Sequence, residues 1–320
     1  MNKNLSFASR YGLSLLGKPA AWTAAIVLLA SLSIANAQQA FKTPEDAAAA
    51  LVSAAKDVWP KGVVDVLGRA SAEIVSSGDK VADEAIRQKF IATYDAKHQI
   101  AMEGDSKAIM VIGQEDFPFP IPLVRKDGMW QFDTVAGRQE ILSRRIGRNE
   151  LDTIQACLAY VDAQNEYADE DRTGAGTGIY AQRIVSRPGK KDGLYWPASQ
   201  GNDASPLGEL VAQANNEGYR IGGERAPFHG YYFKILTEQG PSAPGGELDY
   251  LVHGKMIGGF ALVAYPAEYR NSGVMTFIVN HTGAIFQKDF GPRTAHLAER
   301  MTSYNPDPTW KKVDTTTPPN

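Results

Sequence analysis

The chain has 320 residues, enough for two domains of ordinary size, and its 43% hydrophobic and 22% charged residues are typical of globular proteins. The formal net charge of −3 excludes a strongly basic surface, so nucleic acid is not an expected partner. A single cysteine, Cys157, excludes both an internal disulfide and a cysteine-based zinc site.

Residues 1–37 have the pattern of a secretory signal peptide. An apolar run over 20–35 ends at Ala35-Asn36-Ala37, whose small residues suit a signal peptidase. Three basic residues and no acid precede this run: Lys3, Arg10 and Lys18. The run is shorter than the ~20 residues that a membrane-spanning helix needs. The pattern favours cleavage after Ala37 over a retained anchor, so we expect a periplasmic or secreted protein with no transmembrane segment in the mature chain.

Residues 41–136 are predicted to form a first module in which helices precede strands. Thr43-Pro44 has the residue types of a helix start, and Gly78-Asp79 precedes a second one-sided apolar pattern. The run 108–112 is rich in strand-forming residues, and Asp127-Gly128 between two apolar runs predicts a hairpin. Helices followed by an antiparallel sheet make this an α+β module.

Three prolines lie just before this hairpin: Pro118, Pro120 and Pro122. Because proline has no N–H to donate, the strand that carries them is expected at a sheet edge. The order of elements and the closing hairpin at 123–133 resemble the cone-shaped fold of nuclear-transport-factor-two-like domains. Such cones hold a ligand in some members and act as scaffolds in others. His98 and nearby acids are the candidate pocket residues, but no spacing ties them to a reaction.

A second α+β module is predicted over residues 137–314. It begins with one long helix, because no proline interrupts 138–167 and apolar residues, Cys157 among them, recur at helical spacing. A turn-rich region with a short helix near 208–215 follows. Four strand candidates follow it: 231–236, 255–265, 274–279 and 284–288. A last helix is predicted to begin at Gly291. The spine helix with Ala163-Gln164-Asn165-Glu166-Tyr167 resembles those of type IV pilin and pseudopilin heads. Residues 315–320 are predicted to be a disordered tail.

One acidic segment, 169–174, has two interpretations. Asp169, Asp171 and Thr173 stand at the first, third and fifth places of a potential cation loop, with glycine at the sixth, as in the opening of a calcium loop. The twelfth place is Tyr180 where a calcium loop has glutamate. The sequence therefore favours a plain helix-terminating turn and leaves calcium as the one candidate cofactor.

Aromatic residues cluster around glycines and prolines between 195 and 233. The candidate ligand or partner surface comprises five of these positions: Tyr195, Trp196, His229, Tyr231 and Tyr232. If exposed, such rings would form a platform for sugars or for a partner's apolar patch. If buried, they are the core beneath a long loop, and the sequence favours that interpretation.

Five strings of residues resemble an exported bacterial family catalogued as domain of unknown function 2950. They are 191–197 (KDGLYWP), 205–208 (SPLG), 229–233 (HGYYF), 258–264 (GGFALVA) and 274–280 (VMTFIVN). This resemblance extends over nearly the whole mature chain. It implies export and a shared architecture, and it carries no activity.

The common catalytic and nucleotide-binding motifs are absent from the sequence, including the zincin pattern, the Gly-x-Ser-x-Gly elbow and the P-loop. The first hypothesis is therefore an exported, non-catalytic scaffold or binding protein of the cell envelope, stiffened by calcium if the acidic loop holds it. Its expected partner is an envelope protein or a cell-wall component. A periplasmic enzyme with a pocket in the first module or at the module junction is one alternative. A carbohydrate-binding protein that uses Trp196 and Tyr232 is the other.

Overall fold

The computed structural model describes residues 38–197, 204–220 and 226–315. The predicted signal peptide and residues 316–320 of the predicted tail lie outside the described residues. The described residues form one compact unit. Within it, two clusters of buried apolar side chains form an N-terminal core, from Phe41 to Phe132, and a C-terminal core, from Cys157 to Trp310. The predicted α+β class is confirmed.

Seven α-helices are present among the described residues, together with two short 3₁₀ turns. The helices are α1 (Pro44–Asp57), α2 (Lys61–Leu67), α3 (Ala72–Val75), α4 (Lys80–Ala96), α5 (Thr134–Asp169), α6 (Gly208–Glu217) and α7 (Thr294–Arg300). The predicted start of α1 is confirmed, since the Thr43 side chain accepts a hydrogen bond from the Asp46 N–H. Asp79 caps α4 in the same way. Capping explains why both helices begin where polar residues precede an apolar stripe.

The strands of the N-terminal half are β1 (His98–Glu103), β2 (Lys107–Ile112), β3 (Phe117–Pro118), β4 (Leu123–Lys126) and β5 (Met129–Phe132). They form one antiparallel sheet of order β1-β2-β4-β5, with β3 beside β2. The predicted hairpin between β4 and β5 is confirmed, and both Asp127 and Gly128 adopt positive φ.

The predicted edge position is wrong for β4 and holds for β3, which contains Pro118 and, among the described strands, pairs with β2 alone. β4 begins at Leu123, after the last of the three prolines, and it lies between β2 and β5. Pro118 falls in the separate two-residue strand β3, while Pro120 and Pro122 lie in the connection. None of the three prolines lies within β4, so every residue of that strand keeps its N–H group. The prolines therefore do not prevent β4 from pairing with a strand on each side.

The strands of the C-terminal half are β6 (Tyr231–Leu236), β7 (Glu238–Gln239), β8 (Leu248–Asp249), β9 (Leu251–Val252), β10 (Lys255–Met256), β11 (Ala261–Pro266), β12 (Thr276–Asn280), β13 (Ile285–Lys288), β14 (Ser303–Tyr304) and β15 (Lys311–Lys312). The main sheet is antiparallel with the order β15-β13-β12-β11-β6. Every residue of its two central strands, β11 and β12, is buried. Both faces of this sheet are therefore covered, which explains the nearly continuous apolar sequence of these strands.

Helix α5 contributes to both cores. Ile141, in its first half, packs against the N-terminal core, whereas Cys157, Tyr160 and Val161 lie within the C-terminal core. Gly147, at the middle of the helix, does not interrupt it. The long uninterrupted helix predicted from the sequence is therefore confirmed, and it links the two halves of the compact unit.

Polar contacts fix the segment that precedes α4 against the C-terminal half. The buried Arg145 guanidinium donates to the backbone oxygens of Glu73 and Ile74 and to the side-chain oxygen of Asn271, at 2.5–3.0 Å. Asp79, which is 2% exposed, accepts from the Tyr219 hydroxyl at 2.8 Å and from the Gly230 N–H at 2.9 Å. These groups must be paired because an unpaired polar group in a buried position is costly.

Replacement of Asp79 should destabilise the protein far more than loss of an ordinary helix cap. In Asp79→Ala, the N–H groups of α4, the Gly230 N–H and the Tyr219 hydroxyl all lose their acceptor. We expect a loss of about 3 kcal/mol in the free energy of unfolding, measured with urea.

The matched control is Thr43→Ala, which removes only the exposed cap of α1 and should cost about 1 kcal/mol. Equal losses in the two variants would show that Asp79 acts as a cap alone.

Candidate functional site

A pocket of about 210 Å³ lies where α4, α5, α6 and the loop before β6 meet. Helix α4 supplies an apolar wall that includes Val81, Ala85 and Ile86. The opposite walls are polar. Besides the Tyr219 hydroxyl, they carry the charged and titratable side chains of the lining: Arg145, Arg148, Asp152, Glu217 and His229. We call this cavity the junction pocket, because its lining comes from both halves of the compact unit.

His229 is presented to the junction pocket by a tight two-residue turn. Phe228 and Tyr231 exchange both of their backbone hydrogen bonds, and His229 and Gly230 between them adopt φ of 48° and 74°. Glycine is required at 230, since a Cβ there would lie 2.5 Å from the Asn149 side chain. The turn thus holds His229 at a defined position, with a positive φ that histidine adopts less readily than glycine does.

Both ring nitrogens of His229 are bound by carboxylates. Nδ1 lies 2.8 Å from Asp152 Oδ2, and Nε2 lies 2.9 Å from Glu217 Oε2. Asp152 comes from α5 and Glu217 from the last residue of α6. The imidazole therefore joins three chain segments, and no ring nitrogen is left to take or give a proton to a substrate.

The two carboxylates decide the charge of this histidine. Burial acts to lower the pKa of His229, but the hydrogen bond and charge of Asp152, followed by those of Glu217, outweigh it. The pKa is therefore raised above the ordinary value for histidine. An imidazolium between two carboxylates is the form that this geometry stabilises.

The two arginines of the junction pocket differ in their contacts. Arg145 donates to oxygens of Glu73, Ile74 and Asn271, and burial lowers its pKa. Arg148, one turn further along α5, is exposed and has no hydrogen bond or ion pair with any described residue. It is the cation of the pocket lining that has unused donors.

Two further acids, Asp79 and Asp83, stand behind the pocket wall. Asp83 accepts from the Ser77 N–H with both oxygens, and burial raises its pKa. The Tyr219 hydroxyl donates to Asp79, and its pKa is raised by burial and by that neighbouring charge. These acceptors are engaged by protein donors, so they hold the wall in place.

Among the described residues, the predicted pocket residue His98 makes no hydrogen bond or ion pair with an acid. Its Nδ1 lies 3.0 Å from the Tyr94 backbone oxygen, and its ring stacks on Tyr94 with centroids 3.8 Å apart. The histidine of the junction pocket is instead His229, which the sequence placed only in the aromatic cluster.

The acidic segment at 169–174 forms a backbone-bound turn. Asp171 Oδ1 accepts from the N–H groups of Thr173, Gly174 and Ala175 at 2.7–3.2 Å. Asp169 is the last residue of α5. Within residues 38–197, 204–220 and 226–315, no group of three or more histidine, cysteine or acidic side chains could hold a metal ion. Calcium binding by Asp169, Asp171 and Thr173 stays a prediction.

The predicted aromatic surface is distributed over different environments. Tyr231 and Trp196 are buried in the C-terminal core, with exposed fractions of 0% and 5%, whereas Tyr195 and Tyr232 are partly buried at its margin. Trp196 and Tyr231 therefore present no open ring face to a sugar. His229 is the one member of this set that lines the junction pocket.

Cys157 is fully buried in α5, and burial raises the pKa of its thiol to about 12. It is therefore a small core side chain and not a nucleophile, as its place in the apolar stripe predicts.

The sequence did not single out Arg148, Asp152 or Glu217. A weak signal was present, because Arg148 and Asp152 are four residues apart on the predicted long helix and so share one face. Nothing in the sequence connects that face to Glu217 or His229, which reach it only through the folded chain.

A family described as "Protein of unknown function (DUF2950)" matches residues 38–313. The chain belongs to this family. No curated protein and no solved structure matches the chain, so the resemblances to pilin heads and to cone-shaped domains have no support from these comparisons. Among the described residues, no helix combines the length and the apolar character needed to cross a membrane.

The raised pKa of His229 predicts a pH-dependent contribution to stability. A raised pKa in the folded state stabilises the protein fully below the ordinary value of about 6.5, and this contribution disappears as the pH rises through the folded value. We expect the wild-type protein to exceed Asp152→Asn in free energy of unfolding most clearly below pH ~6.5. The imidazole pKa, measured by NMR, should fall in the variant.

Asp162→Asn is the matched control, because Asp162 is exposed on the same helix and away from the pocket lining. An equal change of the His229 pKa in both variants would contradict the pairing with Asp152.

Proposed function

We propose that the protein is an exported, non-catalytic binding protein of the cell envelope that takes a small anionic ligand into the junction pocket. The observation that carries this proposal is the exposed Arg148 guanidinium, which has no partner among the described residues, at a pocket whose other charged groups are paired. Export rests on the signal-peptide pattern of residues 1–37.

The charge of the pocket lining supports an anion. With His229 protonated, three cationic side chains face two carboxylates, and the imidazolium lies between those two carboxylates. The guanidinium of Arg148 offers a planar set of donors that matches a carboxylate or a phosphate. An anion bound there would make charge-assisted hydrogen bonds at little cost of breaking existing contacts.

Two features favour binding over catalysis. Both ring nitrogens of His229 are engaged, so the residue most suited to proton transfer at neutral pH has no free position. The other groups on the polar wall are a guanidinium fixed to backbone oxygens and a tyrosine hydroxyl bound to Asp79. Such an arrangement orients a ligand without offering it a nucleophile.

The test compares two arginines of α5. Acetate and inorganic phosphate are titrated into the mature protein, and binding is followed by NMR through the signals of residues around Arg148 and His229. Arg148→Gln should weaken binding about tenfold or more, since hydrogen bonds to charged groups contribute about 1.5–3 kcal/mol each.

The control is Arg144→Gln, because Arg144 is an exposed arginine one turn earlier that already pairs with Glu140 at 2.7 Å. This variant should bind as the wild type does. The proposal fails if neither anion shifts these signals, or if both variants lose affinity equally.

A further inference from the structure

A second cavity lies beneath α6, beside the junction pocket. Its volume is about 110 Å³, and it is bounded by side chains of α5, α6, β6 and the preceding loop. The lining is apolar and includes Ala156, Tyr160, Val211, Ala214, Phe228 and Phe233. We call it the α6 cavity.

The same three chain segments line both cavities. On α5, Asp152 faces the junction pocket and Ala156, four residues later, faces the α6 cavity. The C-terminal end of α6 contributes Glu217 to the first cavity and Ala214 to the second. Since residues three or four apart on a helix lie about one 5.4 Å turn apart on the same face, the two cavities are neighbours.

Aromatic side chains form the boundary between the cavities. Phe228 lines the α6 cavity and His229 the junction pocket, and the centroids of their rings are 4.2 Å apart. The Tyr219 ring lies 5.0 Å from Phe228 and 5.6 Å from His229. The boundary between the cavities is therefore formed by side chains, and one of them, Phe228, is only partly buried.

The α6 cavity offers few polar partners to ordered water. Ordered water in a protein cavity needs about two to four polar partners, and this lining is made almost wholly of carbon. Its volume is somewhat below that of the ~150 Å³ apolar cavity that holds benzene, so it has room for about four carbon atoms. An apolar group of that size is the occupant that its chemistry favours.

We infer that the ligand of the junction pocket is an anionic amphiphile, with a carboxylate or phosphate head at Arg148 and a short apolar chain in the α6 cavity. This inference rests on the proposed function and specifies the ligand class for the same site. It joins the unpaired cation on α5 to the apolar space that begins at Ala156, eight residues or about two helical turns further along the same helix.

The test is a series of straight-chain carboxylates, from acetate through butyrate and hexanoate to octanoate, titrated into the mature protein. Each methylene buried in the cavity should tighten binding about fourfold, until the cavity is full and the affinity levels off. Octyl phosphate, compared with octanoate, distinguishes a phosphate head from a carboxylate head. Octylammonium should bind much more weakly than either, because its head repels Arg148.

The outcomes separate the two proposals. If acetate binds through Arg148 but longer chains bind no better, the amphiphile inference fails and the proposed function stands. If no anion of the series binds, both fail. Octylammonium binding as tightly as octanoate would overturn the assignment of an anionic head.

Variants of α6 provide an independent readout. Ala214→Leu fills the α6 cavity, so it should abolish the gain with chain length and leave acetate binding unchanged. Ala212→Leu is the matched control, since Ala212 is exposed on the same helix and should keep the full gain. Should Ala214→Leu fail to fold, the wild-type chain-length series still decides the question.

Discussion

The buried carboxylate of Asp79 binds groups from both halves of the structure and so fixes the position of one half against the other. One of its oxygens caps α4, and the other accepts from Tyr219 and from Gly230 in the turn that presents His229. Because every donor around this carboxylate depends on it, the start of α4 and the turn before β6 cannot move independently. Arg145 reinforces the same contact by donating to backbone oxygens of α3, the helix that precedes α4.

This polar junction explains where the pocket lies. Two clusters of buried apolar side chains lie on either side of a region where charged and hydrogen-bonded groups, among them Arg145 and Asp79, connect the two halves. The space that remains is lined by groups from both halves. Most of those groups are already paired, so the electrostatic character of the pocket depends on the few that are not, of which Arg148 is the clearest case.

The imidazole of His229 has a structural role and an electrostatic one. It ties α5 to the end of α6 through Asp152 and Glu217, and in its protonated form it offsets their negative charge. An anion near Arg148 therefore meets a pocket that is not dominated by carboxylates. The same pairing withholds the histidine from proton transfer, which is the physical basis for preferring a binding role. A short apolar cavity next to this group gives the binding site a second, chemically different compartment.

Local signals in the sequence determined much of the fold. Thr43 and Asp79 marked helix starts, Asp127-Gly128 marked a hairpin, and the unbroken apolar stripe around Cys157 marked the long helix, because capping, turn geometry and helical periodicity all act over a few residues. The place of β4 inside its sheet was not determined in this way, since it depends on which strands pair. Only the tertiary structure brought Glu217 and His229 to the face of α5 that carries Arg148 and Asp152. The hydrogen bond between Asp152 and His229 spans 77 positions of sequence, and no periodicity or motif encodes a contact made by the packing of separate elements.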